Sequence, residues 1–294
     1  MPNNIALAKK YTPLVDEKYK KGDLFADLTS DLSLTRQGAN AKEILYRQVS
    51  IEGGLGDYSR NSGYTSSNVK VEWKTATFEY DRGTKFSLDE MDNEETMGDT
   101  YLIAQKELQE QKVIPEGNAY VAAKLAGTQG ITISVPAGET FANGEAFLAA
   151  LLRDTSVMDE DSVPEEGRIL YATPTLVNSI MALDTNKSRE VLAKFSKIVK
   201  VPQTRFYTKI DLLDGKSEGE ELGHFQKAED GKDINYLIVD KNAVMKFDKH
   251  IVKDAIAPEN NADADAYIAK YRKYGLVDVW KNKTAGICLS YKAS

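Results

Sequence analysis

The stretch that decides the fold is Ile44-Leu-Tyr-Arg-Gln-Val-Ser-Ile-Glu52, followed by Gly53-Gly-Leu-Gly-Asp-Tyr-Ser-Arg-Asn-Ser-Gly-Tyr-Thr-Ser-Ser67 and Asn68-Val-Lys-Val-Glu-Trp-Lys-Thr-Ala-Thr-Phe-Glu-Tyr80. Leu45, Val49 and Ile51 fall on one face of a strand. Val69, Val71 and Trp73 alternate with Lys70, Glu72 and Lys74, which is strand period. Ala76, Phe78 and Tyr80 continue the alternation on the opposite parity, which predicts a bulge near Lys74–Thr75. The segment between the strands, Glu52–Asn68, is nearly all turn chemistry, and loops of that length in compact domains are binding elements or disordered. A two-stranded ribbon is marginal in water on its own. The pattern therefore predicts an arm that lies on something else, most simply another subunit.

Outward from the ribbon the pattern changes. Residues 1–43 carry short apolar patches and Lys9, Lys10, Lys18, Lys20 and Lys21, and read either as an extended arm with one short helix around Leu14–Lys21 or as a frayed terminus. From Leu88 the period is helical. Ser87 with Glu90 forms a candidate capping box, acids crowd the helix start, and Met97, Tyr101, Ala104 and Leu108 make one narrow stripe. This helix runs to about Lys112, is interrupted at Val113-Ile-Pro-Glu116, and resumes over Ala119–Ala126 before Gly127. Residues 128–254 read as mixed α/β, with strands at Gly130–Val135, Arg168–Ala172, Arg205–Leu213 and Asn235–Val239. Helices are expected over Gly144–Arg153 and after Thr173, with Pro174 at its first position. Tyr267, Tyr271 and Tyr274 fit a helix, whereas Leu276–Trp280 fits a strand; a last strand is expected over Ala285–Tyr291. The fold class is α+β.

Composition excludes several functions. The chain has 294 residues, with 38 Lys and Arg against 45 Asp and Glu, for a formal charge of −7. A protein that coats nucleic acid is usually basic. One cysteine, Cys288, rules out an internal disulfide framework and any multi-cysteine metal site. Two histidines, His224 and His250, leave little material for general-base chemistry and read as solvated. No apolar run is long enough to span a membrane, and the start is too short in apolar residues for a signal peptide. Tyrosine is the main aromatic at fifteen residues, against nine Phe and two Trp. Amphipathic aromatics suit surfaces that are wet in one state and dry in another.

Motifs with catalytic associations fail on context. Gly215-Lys216-Ser217 imitates the end of a phosphate-binding loop, but Ile210 stands where its first glycine is required. Gly53-Gly54-Leu55-Gly56 leads into no helix, so it is not a dinucleotide fingerprint. Cys288 alternates with apolar neighbours as a small buried hydrophobe does. The acids at 89–99 read as a solvated helix start rather than a cation site. No cofactor and no metal are expected, and the chain does not read as an enzyme.

Several stretches carry a resemblance. They are Leu7-Ala-Lys-Lys-Tyr11 with Val15-Asp-Glu-Lys-Tyr19; Phe86-Ser-Leu-Asp-Glu-Met-Asp-Asn-Glu-Glu95; Val113-Ile-Pro-Glu116 through Tyr120 and Ala123-Lys-Leu125; Tyr171-Ala-Thr-Pro174; Asn235-Tyr-Leu-Ile-Val239; and Tyr271-Arg-Lys-Tyr-Gly-Leu-Val-Asp-Val-Trp-Lys-Asn-Lys283. In this order and spacing the chain resembles the tailed-bacteriophage major capsid protein, the Johnson fold, in the form found in phages and prophages of Gram-positive bacteria.

The resemblance implies an N-terminal arm over 1–43, an extended β-hairpin loop over 44–88, and a spine helix with the first part of a peripheral domain over 89–127. It implies an axial domain over 128–254 and the rest of the peripheral domain over 255–294, and it favours a strand around Tyr267–Lys281. The implied role is an icosahedral shell around a double-stranded DNA genome. Partners are further copies of the chain in pentamers and hexamers, a scaffolding protein acting in trans, a portal protein, and packaged DNA held without sequence-specific contacts. No membrane is involved; the protein is assembled in the host cytoplasm and ends in the virion. Assembly contacts are expected at Leu55, Tyr58, Arg60, Tyr64, Trp73, Glu94, Glu95 and Tyr101. The alternatives are an encapsulin-type compartment of the same fold, an oligomeric α/β enzyme, and a phage tail or adaptor protein.

Overall fold

The computed structural model describes residues 22–30, 35–37, 42–61, 63–95 and 100–293. The helix expected around Leu14–Lys21, and Met97 of the predicted stripe, lie outside these residues.

The ribbon forms as the alternation predicts. Strand β2 (Glu43–Glu52) pairs antiparallel with β3 (Asn68–Thr77) from Glu43 opposite Thr77 to Glu52 opposite Asn68, and the short β1 (Thr35–Gln37) flanks the base of β2. The register is unbroken, so the expected bulge near Lys74–Thr75 is absent. The change of parity has another cause, set out below.

Strand β4 (Tyr80–Asp89) leaves the ribbon and pairs with β12 (Ala266–Val279), which pairs in turn with β11 (Val244–Ile256). The long β12 resolves the helix–strand ambiguity around Tyr267–Trp280 in favour of the strand. The capping box at Ser87 does not form, because Ser87 sits inside β4 opposite Ile268. The helix starts two residues later, where Asp89 Oδ1 accepts from the Met91 N–H at 3.0 Å. Acids that favour a helix start also tolerate an exposed strand end, so local composition misplaced the boundary.

Helices α1 (Glu90–Glu95), α2 (Thr100–Glu107) and α3 (Ile114–Ala126) follow, with a π-helical stretch over Leu108–Val113 joining the last two. The interruption predicted at 113–116 is not a break: the wider turn lies just before it, over Leu108–Val113, and Ile114–Glu116 open α3. Proline lacks an N–H and crowds the preceding turn, and a π turn relieves both problems.

The α/β half is a five-stranded sheet in the order β5 (Thr132–Ile133), β13 (Ile287–Tyr291), β10 (Ile234–Asp240), β6 (Arg168–Ala172) and β7 (Lys197–Lys200). Strands β6, β10 and β13 are buried throughout, as near-continuous apolar runs in a doubly covered sheet should be. Leu170, Ala172, Tyr236, Ile238 and Cys288 face α4 (Gly144–Glu160), α5 (Pro174–Met181) and α6 (Asn186–Ala193). Ile169, Tyr171, Leu237, Val239 and Leu289 face α3 and the ends of β11 and β12. Helix α5 begins at Pro174 as predicted, although Thr173 makes no side-chain capping bond. The closing segment 255–294 is shared between two sheets, β12 in the three-stranded one and β13 in the five-stranded one. A small hairpin, β8 (Ile210–Leu212) with β9 (Phe225–Lys227), projects from this half against α3.

Residues 22–30 are not frayed. Phe25 and Leu28 are fully buried in the main core, with Phe25 stacked on Tyr171 at 4.5 Å between ring centres.

Candidate assembly interface

The ribbon presents two faces to two environments. At its base, Ile44, Tyr46, Ala76 and Phe78 pack with Met245, Phe247 and Leu276, and Tyr46 meets Trp280 edge-on at 4.9 Å. Further out this same face turns polar: Lys70 and Lys74 flank Glu72 at 2.7 and 2.6 Å, and their hydrogen bonds hold its carboxyl at about 2. The opposite face carries the cross-strand pairs Val49–Val71 and Ile51–Val69, with Trp73 opposite Arg47. These five apolar residues are between 45% and 66% exposed. The parity switch read as a bulge is thus a change in which face is apolar: one side faces this subunit, and the other faces away from it. An ordered, half-exposed stripe of paired β-branched residues beside a tryptophan has the composition of an interface core.

Beyond the strands the tip is organised by its own contacts. The Gly63 N–H donates to the Ser59 carbonyl at 2.7 Å, and the Ser59 N–H returns to Gly63 at 3.3 Å. Gly63 has φ +75°, which that tight turn requires. The rings of Tyr58 and Tyr64 lie 4.8 Å apart. Leu55, Tyr58, Arg60 and Tyr64 are all exposed, so the structure brings four of the expected contact residues together at the tip, with Trp73 down the same ribbon. Glu94 is exposed on α1, and Glu95 ends that helix.

Tyr101 is a correction. It is 4% exposed, its ring packs against Phe86 and Tyr267 at 5.9 and 5.0 Å, and its hydroxyl contacts the Ile268 carbonyl. It fastens α2 to the three-stranded sheet and is not accessible to a neighbour.

Several side chains that could carry chemistry are engaged within the fold. Cys288 is fully buried, and burial together with nearby Asp154 pushes its thiol well above the ordinary range. A thiol so displaced is not a nucleophile at neutral pH. Asp154 accepts from Tyr236 at 2.5 Å and from Arg153 Nε at 2.9 Å, and Glu139 accepts from Ser134 and Ser290 at 2.8 and 2.6 Å. In the loop carrying Gly215-Lys216-Ser217, Asp214 accepts from the Lys216 and Ser217 N–H groups at 2.7 and 2.8 Å, so the donors a phosphate would use are already taken. Among the described residues, no group of three or more His, Cys, Asp or Glu side chains could hold a metal ion. None of the described helices is long and apolar enough to cross a membrane. An open cleft of about 1010 Å³ between the ribbon base, the end of α3 and β8 is lined by neither His nor Cys.

His224 departs from expectation. It is largely covered, has φ +75°, and places Nδ1 3.6 Å from Glu116 Oε2. His250 is exposed on β11 as expected. Sequence reasoning missed two buried ion pairs, Asp23–Lys246 and Arg82–Glu116. The available signal was a lysine inside the apolar run Val244-Met-Lys-Phe247 and an arginine in a strand next to Tyr80.

No family model matches the chain, and no curated protein matches it. Solved structures do. A structure of Mycobacterium phage Che8 is similar at a TM-score of 0.57 and 11% identity, over 90% of this chain and 89% of that one. The capsid structure of cyanophage P-SCSP1u gives 0.59 and 14%, over 92% and 88%. A virus-like particle from Pyrococcus furiosus gives 0.57 and 14%, over 97% and 99%. At these identities the likeness is one of fold.

Proposed function

We propose that this chain, whose fold is that of the tailed-phage major capsid proteins, is a shell subunit that assembles with copies of itself into an icosahedral particle enclosing double-stranded DNA. The observation that carries this is the two-faced ribbon: its base packs into its own subunit, and its outer half displays an ordered apolar stripe that stays about half exposed among the described residues. Ten paired residues at about 3.3 Å each put the tip roughly 30 Å from the ribbon's base. A neighbouring copy is the occupant such an arm fits.

In this reading residues 1–43 are the arm, 44–88 the extended loop, 89–127 the spine, 128–254 the axial domain and 255–294 the remainder of the peripheral domain, except that β11 joins the three-stranded sheet and β13 closes the five-stranded one. Leu55, Tyr58, Arg60, Tyr64, Trp73, Glu94 and Glu95 are contacts between copies in pentamers and hexamers. A scaffolding protein in trans and a portal protein complete the assembly, which takes place in the host cytoplasm and yields a virion. The net charge of −7 supports a container that does not grip its contents.

The test is electron microscopy of the purified chain, alone and with its scaffolding protein. Hollow particles or capsomer rings are expected; stable monomers in both samples would sink the proposal. A second reading, a shell of the same fold that encloses protein cargo and no genome, is the alternative to weigh, since a virus-like particle from Pyrococcus furiosus shares the fold over 97% of this chain. Nuclease-protected DNA in particles isolated from the producing cells separates the two.

A further inference from the structure

The mouth of the β8–β9 hairpin is hydrogen-bonded to β4 through one guanidinium, beside the packing of Ile210 and Leu212 and the approach of His224 Nδ1 to Glu116 at 3.6 Å. Arg82, on β4, donates from Nη1 to the Leu213 carbonyl at 2.7 Å and from Nη2 to the His224 carbonyl at 3.1 Å. Those carbonyls belong to the two residues at which the hairpin strands end, and the Leu213 N–H donates to His224 across the same mouth at 3.0 Å. The same guanidinium faces α3, with Nε on Glu116 Oε1 at 2.8 Å and Nη2 on Oε2 at 3.3 Å. Tyr80 donates its hydroxyl to Glu116 at 3.1 Å. Three elements distant in sequence, β4, the first turn of α3 and the mouth of the hairpin, thus converge on one side chain.

Beyond the mouth, the loop 213–224 is held by internal bonds. Asp214 caps Lys216 and Ser217, and Glu220 Oε2 accepts from the Asp214 N–H at 2.8 Å. It is tied to itself by these bonds but has no hydrophobic core of its own. Its base contributes only Ile210 and Leu212, both at the margin of the main core.

We propose that Arg82 is the pin that fixes the hairpin's position on the body of the subunit, and that Glu116 aims the pin. The hairpin is then a discrete element that can leave α3 without unfolding the subunit, and its pinned position is the one that assembly uses. A planar five-donor fork suits this role, because it can satisfy a carboxylate and two carbonyls from one position; lysine cannot.

The experiment is hydrogen exchange on the purified full-length chain, comparing wild type with Arg82→Lys, Arg82→Ala and Glu116→Gln. Exchange in 210–227 should rise roughly tenfold or more in both Arg82 variants, the size expected for losing charge-assisted bonds, and less in Glu116→Gln. In the Arg82 variants, strands 168–172 and 234–240 should lose no more protection than the global destabilisation read from urea, and less than the hairpin loses. Unchanged exchange in the hairpin, or a rise only in step with those core strands, would overturn the proposal; Arg82→Lys carries the test should Arg82→Ala fail to fold. The assembly clause rests on the shell reading and has its own readout. Folded Arg82→Lys subunits should give malformed or no particles where wild type gives regular ones, and regular particles would refute the clause. Failure of wild type to assemble would count against the shell reading and leave the exchange result standing.

Discussion

Lys246 Nζ donates to Asp23 Oδ2 at 2.8 Å and to the Phe25 carbonyl at 2.9 Å, in a site where Lys246 is 2% exposed. The pair joins residues 223 positions apart. It fastens the segment that buries Phe25 and Leu28 to β11, so the first described residues of the chain are part of the core. Burial raises the Asp23 carboxyl, and the Lys246 ammonium outweighs that effect and holds it below its ordinary value.

Removing one member of this pair strands the other. Asp23→Ala should destabilise the subunit by about 3–5 kcal/mol in urea denaturation, whereas Asp23→Leu combined with Lys246→Met should recover most of the loss. A double variant no more stable than Asp23→Ala would mean that the charges, not the packing, secure the segment.

Stability should fall in acid with a recognisable origin. Burial pushes the Glu116 carboxyl up, but His224, Arg82 and Tyr80 outweigh it and hold it at about 2. A carboxylate with a depressed folded pKa contributes stability above its unfolded value of about 4.3, and that contribution is lost as pH falls toward 2. Its size is roughly 3 kcal/mol. The stability gap between wild type and Glu116→Gln should therefore be widest at neutral pH and narrow progressively below pH 4, measured by urea denaturation across that range.

The two faces of the ribbon should separate folding from assembly. Val71→Ser and Ile51→Ser, on the outward face, should leave monomer stability within about 0.5 kcal/mol while abolishing particles. Tyr46→Ala, on the inward face and 2% exposed, should cost about 3–5 kcal/mol. Deleting residues 53–67 should likewise yield a folded subunit that does not assemble. Normal particles from the deletion variant would remove the ribbon from the interface.

Tyr101 should behave as a core residue. Tyr101→Ala is expected to lower stability by about 3 kcal/mol, while Tyr64→Ala at the tip leaves the melting temperature of the monomer unchanged. Calorimetry on both variants checks the contrast.

Cys288 should resist thiol reagents in the folded chain at pH 8 and react at once in urea. Labelling of the native protein at the rate of a free thiol would contradict its burial beneath α4.

Much of this molecule is legible in its sequence. The alternation at 69–73, the helical period after Glu90 and the unbroken apolar runs at 168–172 and 234–239 each depend on residues a few positions apart, and the elements they predict form. The order of those elements carries the capsid-type fold. Where prediction failed, a distant partner decided. Ser87 is a strand residue because β12 lies beside it, and the phase change at Lys74–Thr75 needs no bulge because Met245 and Leu276 cover only the base of the ribbon. His224 is covered because Glu116 and Arg82 come to it. Period and turn chemistry are local and write themselves into neighbouring residues. Pairings such as Asp23 with Lys246, or Arg82 with Glu116 and two hairpin carbonyls, arise only when separate segments bury their faces against each other, and a buried charge then has no alternative to the partner that packing places beside it.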